Sequence, residues 1–143
     1  MEYLHWNDET MSIGIELIDE QHKELLKIIN QLSTTIHENS QKIDIIMIIN
    51  ELINYAGYHF STEEELFDKY DYVDKLNHKN EHDLFVEKFV HIKDKLTNEE
   101  FYLERSSIEV AEDVFKYIIS WFLNHVTGSD KKYVELFKKN GIK

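Results

Sequence analysis

Residues 45–70 read IIMIINELINYAGYHFSTEEELFDKY. Within them Ile45, Ile49, Leu52, Ala56, His59, Glu63, Leu66 and Tyr70 recur at steps of three and four, the spacing that lines side chains along one face of a helix. His59 and Glu63 stand one turn apart in that otherwise apolar stripe. Burying two such polar groups is costly unless something binds them, so this helix carries both a core face and a candidate site.

The pattern repeats on either side. Ile15, Ile18, His22, Leu25, Ile29, Leu32 and Ile36 form one seam, His78, His82, Phe85, Phe89, Ile92 and Leu96 a second, and Ile108, Ala111, Phe115, Ile118, Phe122 and His125 a third. Breaks fall at Asn39 and Ser40, at Asp71, at Thr97 and Asn98, and at Gly128. Four amphipathic segments with short connections predict an all-α fold, an antiparallel up-and-down four-helix bundle. Residues 1–14, with Trp6, Met11 and Ile13, read as an ordered N-terminal arm, and residues 129–140 as a short C-terminal helix packed outside the bundle.

Composition narrows the function classes. The 143 residues suit a single domain spanning 1–143, and 42% hydrophobic content with no proline and four glycines favours a few long helices. Without cysteine there is no disulfide, thiolate ligand or cysteine nucleophile, so any metal must rest on histidine and carboxylate. A formal net charge of -12 argues against nucleic-acid or anionic-membrane binding. No apolar run is long enough to span a bilayer, and the expectation is a cytoplasmic protein with no membrane contact.

Up-and-down topology brings His22, His59, Glu63, His78, His82 and His125 to the same end of the bundle. A lone seam histidine is more often core packing than a ligand, but five histidines and a glutamate in one layer are too costly to bury without a metal. Asp130 follows His125 by five residues, which does not share a face on an unbroken α-helix. A left-handed Gly128 would turn Asp130 back toward the site; the alternative is a cap on the last helix. His5, His37 and His91 lie off the seams and are expected in solvent.

Taken together, His22, His59 with Glu63, His78 with His82, and His125 with Asp130 resemble the seven-ligand pattern of the hemerythrin family, and the likeness covers nearly the whole chain. Ile18-Asp19-Glu20-Gln21-His22 and Trp121-Phe122-Leu123-Asn124-His125 are similar to its bacterial single-domain members. The resemblance implies two iron ions with a bridging oxo or hydroxo group. It implies that His78, His82 and His125 bind one iron, His22 and His59 the other, and Glu63 and Asp130 both. It further implies reversible dioxygen binding for storage, delivery or buffering, rather than enzyme catalysis. Ferritin-like oxidising sites use two Glu-x-x-His motifs, whereas the one such spacing here is Glu2 to His5. Phe122 and Leu123 are candidates for a dry oxygen pocket, or else ordinary core. Alternatives are an oxygen or redox sensor acting through a separate protein partner, and a di-iron enzyme handling iron, peroxide or nitric oxide.

Overall fold

The computed structural model describes residues 3–98 and 106–143. Glu2, half of the Glu2/His5 spacing, lies outside them. A one-turn helix α1 (Asp8–Met11) precedes α2 (Glu16–His37), α3 (Lys42–Lys69), α4 (Lys75–Thr97) and α5 (Ser107–Asn124), and α6 (Val134–Lys139) ends the chain. Helix α2 packs on α3 and α5, and α3 on α4, which is the expected antiparallel bundle.

Local chemistry sets the corners. Asn39 and Asp71 adopt positive φ, 52° and 51°, a region these residues tolerate better than most. Behind them Ser40 N–H reaches the Thr35 carbonyl (3.1 Å) and Tyr72 N–H that of Phe67 (2.9 Å), closing the ends of α2 and α3 with six-to-one bonds. Asn7 caps α1 and Ser106 caps α5, each accepting from the first-turn amides.

The seams form the core with adjustments. Ile15 through Leu32 are buried as expected, as are Ile45, Ile49, Leu52, Ala56, His59 and Glu63. Below Glu63 the stripe shifts by one residue: Phe67 is buried while Leu66 and Tyr70 are half-exposed. Ile36, Ile92 and Ile108 sit at the margin. The off-seam His5, His37 and His91 are exposed.

The arm is ordered because it is anchored. Asn30 brackets Leu4 through backbone contacts at 3.0 and 2.9 Å, Ile13 N–H donates to Asp19 Oδ1 (2.9 Å), and Met11, Ile13 and Ile15 are buried. Two apolar clusters result. The larger fills the middle of the bundle, and the smaller gathers Ile13, Ile15, Ile18, Phe67, Tyr72, Tyr133 and Phe137 at one end. Among the described residues, no helix is long and apolar enough to cross a membrane.

The chain beyond α5 departs from expectation. Instead of breaking at Gly128, it continues without interruption as a π turn, His125–Ser129, and then a 3-10 turn, Asp130–Tyr133. Gly128 does not take positive φ, so the left-handed turn expected there does not exist. The segment expected to be one outer helix over 129–140 is regular α-helix only from Val134 to Lys139.

Candidate metal centre

Between the two apolar clusters lies a layer of polar side chains, supplied by α2, α3, α4, the π turn and the 3-10 turn that follows it. His22, His59, Glu63, His78, His82, His125 and Asp130 are each at most 4% exposed. Six of them arrive by the antiparallel register. Asp130 arrives by the π turn: its N–H donates to the His125 carbonyl five residues back. At about 100° per residue an α-helix would leave position 130 some 140° away from position 125, and the wider turn narrows that offset.

Glu63, His78, His82, His125 and Asp130 each offer an atom within 4.8 Å of all the others, and His22, His59 and Asp130 form a second such group. Asp130 joins the two. Its Oδ1 lies 3.0 Å from both His78 Nε2 and His125 Nε2, while its Oδ2 lies 2.9 Å from His22 Nε2. Glu63 also spans the groups, with Oε1 3.0 Å from His59 Nε2 and 3.4 Å from His82 Nε2, and Oε2 3.8 Å from His78 Nε2.

These contacts fit ligands converging on cations better than a hydrogen-bond network. Both oxygens of Glu63, both of Asp130 and Nε2 of His78 are buried without a hydrogen-bond partner among the described residues. Carboxylates accept only, so His82 Nδ1 must donate to Glu64 (2.9 Å) and His125 Nδ1 to Glu81 (2.8 Å). His59 Nδ1 likewise donates to Gln21 Oε1 (2.7 Å). In the neutral rings of His59, His82 and His125 the inner nitrogen then carries a lone pair, and inner nitrogens face one another at 3.1 Å (His22, His59) and 3.2 Å (His82, His125). Donors held in adjacent positions on one ion at about 2.1 Å stand about 3 Å apart, which is the spacing found.

Without a metal, protons must balance this charge. Burial opposes protonation of His125, but the Asp130 and Glu81 carboxylates outweigh it and raise its pKa to about 10. Burial dominates at His59 and lowers it. Burial and the Asp130 charge push Glu63 up, yet His59 and His82 bring it down to about 2. Such opposed demands within one layer mark a site built around a positive charge.

The outer partners were not evident in the sequence. Each neighbours a ligand candidate on its own helix but serves a histidine of another: Gln21 follows Glu20 into His22 yet holds His59, Glu64 follows Glu63 yet holds His82, and Glu81 precedes His82 yet holds His125. Ser129 in turn donates to Glu81 (3.0 Å). Rings fix the imidazoles in place: Phe60 stacks on His82 at 3.8 Å and 7°, and Trp121 on His125 at 4.4 Å and 12°. Tyr133 was also missed. It is fully buried, its hydroxyl has no partner among the described residues, and its ring lies 5.7 Å from His78. Of the two pocket candidates, Phe122 is fully buried with its ring 6.2 Å from His22, whereas Leu123 is half-buried against the larger cluster.

Known proteins resemble this chain in sequence and fold. The family model described as the hemerythrin HHE cation binding domain matches residues 13–137. The bacteriohemerythrin of Stenotrophomonas maltophilia is 29% identical over 139 residues, 96% of this chain and 84% of that one. The bacteriohemerythrin of Clostridium acetobutylicum is 30% identical over 135 residues, 91% of this chain and 98% of that one. A crystal structure of wild-type hemerythrin superposes with a TM-score of 0.81 at 27% identity, covering 94% of this chain and 98% of that one. With a family model over most of its length and a buried layer of histidine and carboxylate able to hold a cation, this chain belongs to the hemerythrin family.

Proposed function

We propose that this domain holds two iron ions and binds dioxygen reversibly, with His78, His82 and His125 on one iron, His22 and His59 on the other, and Glu63 and Asp130 on both. The observation that carries this reading is the split of Asp130, one oxygen toward His78 and His125 and the other toward His22. A carboxylate so placed suits two ions side by side. When bound, the iron pair supplies two electrons to dioxygen and recovers them on release.

The protein's own contribution is to hold and to exclude. Outer acceptors fix the ring orientation and tautomer of His59, His82 and His125, so that the same nitrogen of each faces inward. The His22/His59 side has fewer side-chain donors, which leaves room there for a small ligand, and Phe122 provides an apolar wall beside His22. Water kept from that space cannot displace the ligand or protonate it. Within this layer, two carboxylates against five histidines favours iron(II) and works against high-valent states.

The test is metal analysis combined with optical spectra. Two irons per chain are expected, with a visible band that anaerobic reduction bleaches, air restores and argon bleaches again. Colour lost after one exposure, with release of peroxide, would instead support an oxidase. Fewer than two irons in fully loaded protein would overturn the two-ion centre.

A further inference from the structure

The outer partners of the histidines differ between the two groups. In the first group, His82 and His125 each donate to a carboxylate, Glu64 at 2.9 Å and Glu81 at 2.8 Å. In the second, His59 donates to the neutral amide of Gln21 at 2.7 Å, and Nδ1 of His22 is buried with no partner among the described residues. A carboxylate acceptor draws the Nδ1 proton toward itself and makes the opposite nitrogen a stronger donor. An amide does this less, and an absent acceptor not at all. The inner donors are unequal as well: five atoms are mutually within reach around the first position and three around the second.

We propose that the two cation positions are unequal by construction. The His78/His82/His125 position fills first and binds more tightly, and Gln21 is the positioning residue that keeps the His22/His59 position weak. This rests on the two-ion reading of the centre. A domain of this kind has a one-metal form whenever divalent cation is scarce. It exchanges the ion on its open side without dismantling the other. Glutamate in place of Gln21 would give His59 the same backing as His82 and His125. An amide where a carboxylate would fit therefore widens the gap that the unequal inner donors already open.

Anaerobic titration of metal-free protein with Co2+, followed by native mass spectrometry and visible absorbance, tests this. Two steps at least tenfold apart are expected, with the one-metal species accumulating between them. His22→Ala should delete the second step and leave the first, and His125→Ala should weaken the first. Gln21→Glu should tighten the second step by about tenfold or more, while Glu81→Gln, at a half-exposed position that tolerates change, should weaken the first by about 10- to 100-fold. Only a weakening would be expected if these residues merely supported the fold, so a gain in Gln21→Glu distinguishes the two roles.

Uptake of two ions in a single step by the natural sequence would overturn the proposal. So would an unmoved first step in folded Glu81→Gln, or a second step in folded Gln21→Glu that fails to tighten. Failure to reach two ions at saturation would strike the two-ion reading itself, and this proposal with it. The two failures are therefore told apart by stoichiometry at the end of the titration.

Discussion

The N–H of Asp130 donates to the carbonyl of His125 across five residues, and their side chains meet with Oδ1 3.0 Å from Nε2. One wider turn at the end of α5 thus converts a spacing unsuited to an α-helix into a shared corner of the site. Inserting one alanine after Gly128, which has nothing within 4 Å of where a Cβ would stand, places the aspartate six residues after His125 and should rotate it about 120° away on helical register. The variant should keep its helical circular dichroism and lose bound metal. Full metal content in a folded insertion variant would show that the spacing from His125 does not position Asp130.

Glu63 has the same dependence without the backbone device. Both of its oxygens are buried, and they face histidines from both groups. Glu63→Ala should lower metal content by at least half, measured by elemental analysis of protein purified after loading. Two ions per chain retained in that variant would remove Glu63 from the centre.

The metal-free protein should respond to pH through His125. Burial disfavours its charge, but the carboxylates of Asp130 and Glu81 prevail and raise its pKa to about 10. A histidine raised above its unfolded value of about 6.5 contributes stability that is fully present below that value and lost as pH rises through the folded one. Urea midpoints of metal-free protein should therefore fall between about pH 7 and pH 10. Metal must displace the same proton, so apparent affinity should rise by up to about tenfold per pH unit across that window. A flat affinity profile there would mean that His125 gives up no proton on loading.

Tyr133 offers a subtler test. Its hydroxyl is buried without a partner among the described residues, beside the Glu63 and Asp130 carboxylates that, with burial, hold the phenol well above its usual range. An unpaired buried hydroxyl costs about 1–3 kcal/mol. Tyr133→Phe should therefore leave metal-free protein as stable as before or more so, judged by thermal melting. A large drop would mean that the hydroxyl is satisfied by a group of the protein after all.

Much of this is legible in the sequence, and the reasons are local. Three-four spacing finds the core face of a helix because burial acts on each turn alike, and antiparallel topology then puts His22, His59, His78 and His125 in one layer. What failed depended on neighbouring elements. Phe67 displaces Leu66 and Tyr70 from the core because Tyr72, Tyr133 and Phe137 pack against it, and none of these belongs to its helix. The path to Asp130 was misread because a π turn and a left-handed glycine both bring it back, and sequence spacing does not separate them. The roles of Gln21, Glu64 and Glu81 were hidden because each bonds to a histidine on another helix, which only the packing register reveals.

The flat contact between the indole of Trp121 and the imidazole of His125 gives the molecule an optical gauge of its own occupancy. An open-shell ion held by that imidazole would quench the indole's emission at close range, and a closed-shell ion such as zinc would leave it bright. With Trp6 replaced by phenylalanine, the remaining light would come from this ring alone, and its dimming would count loaded molecules with no dye attached.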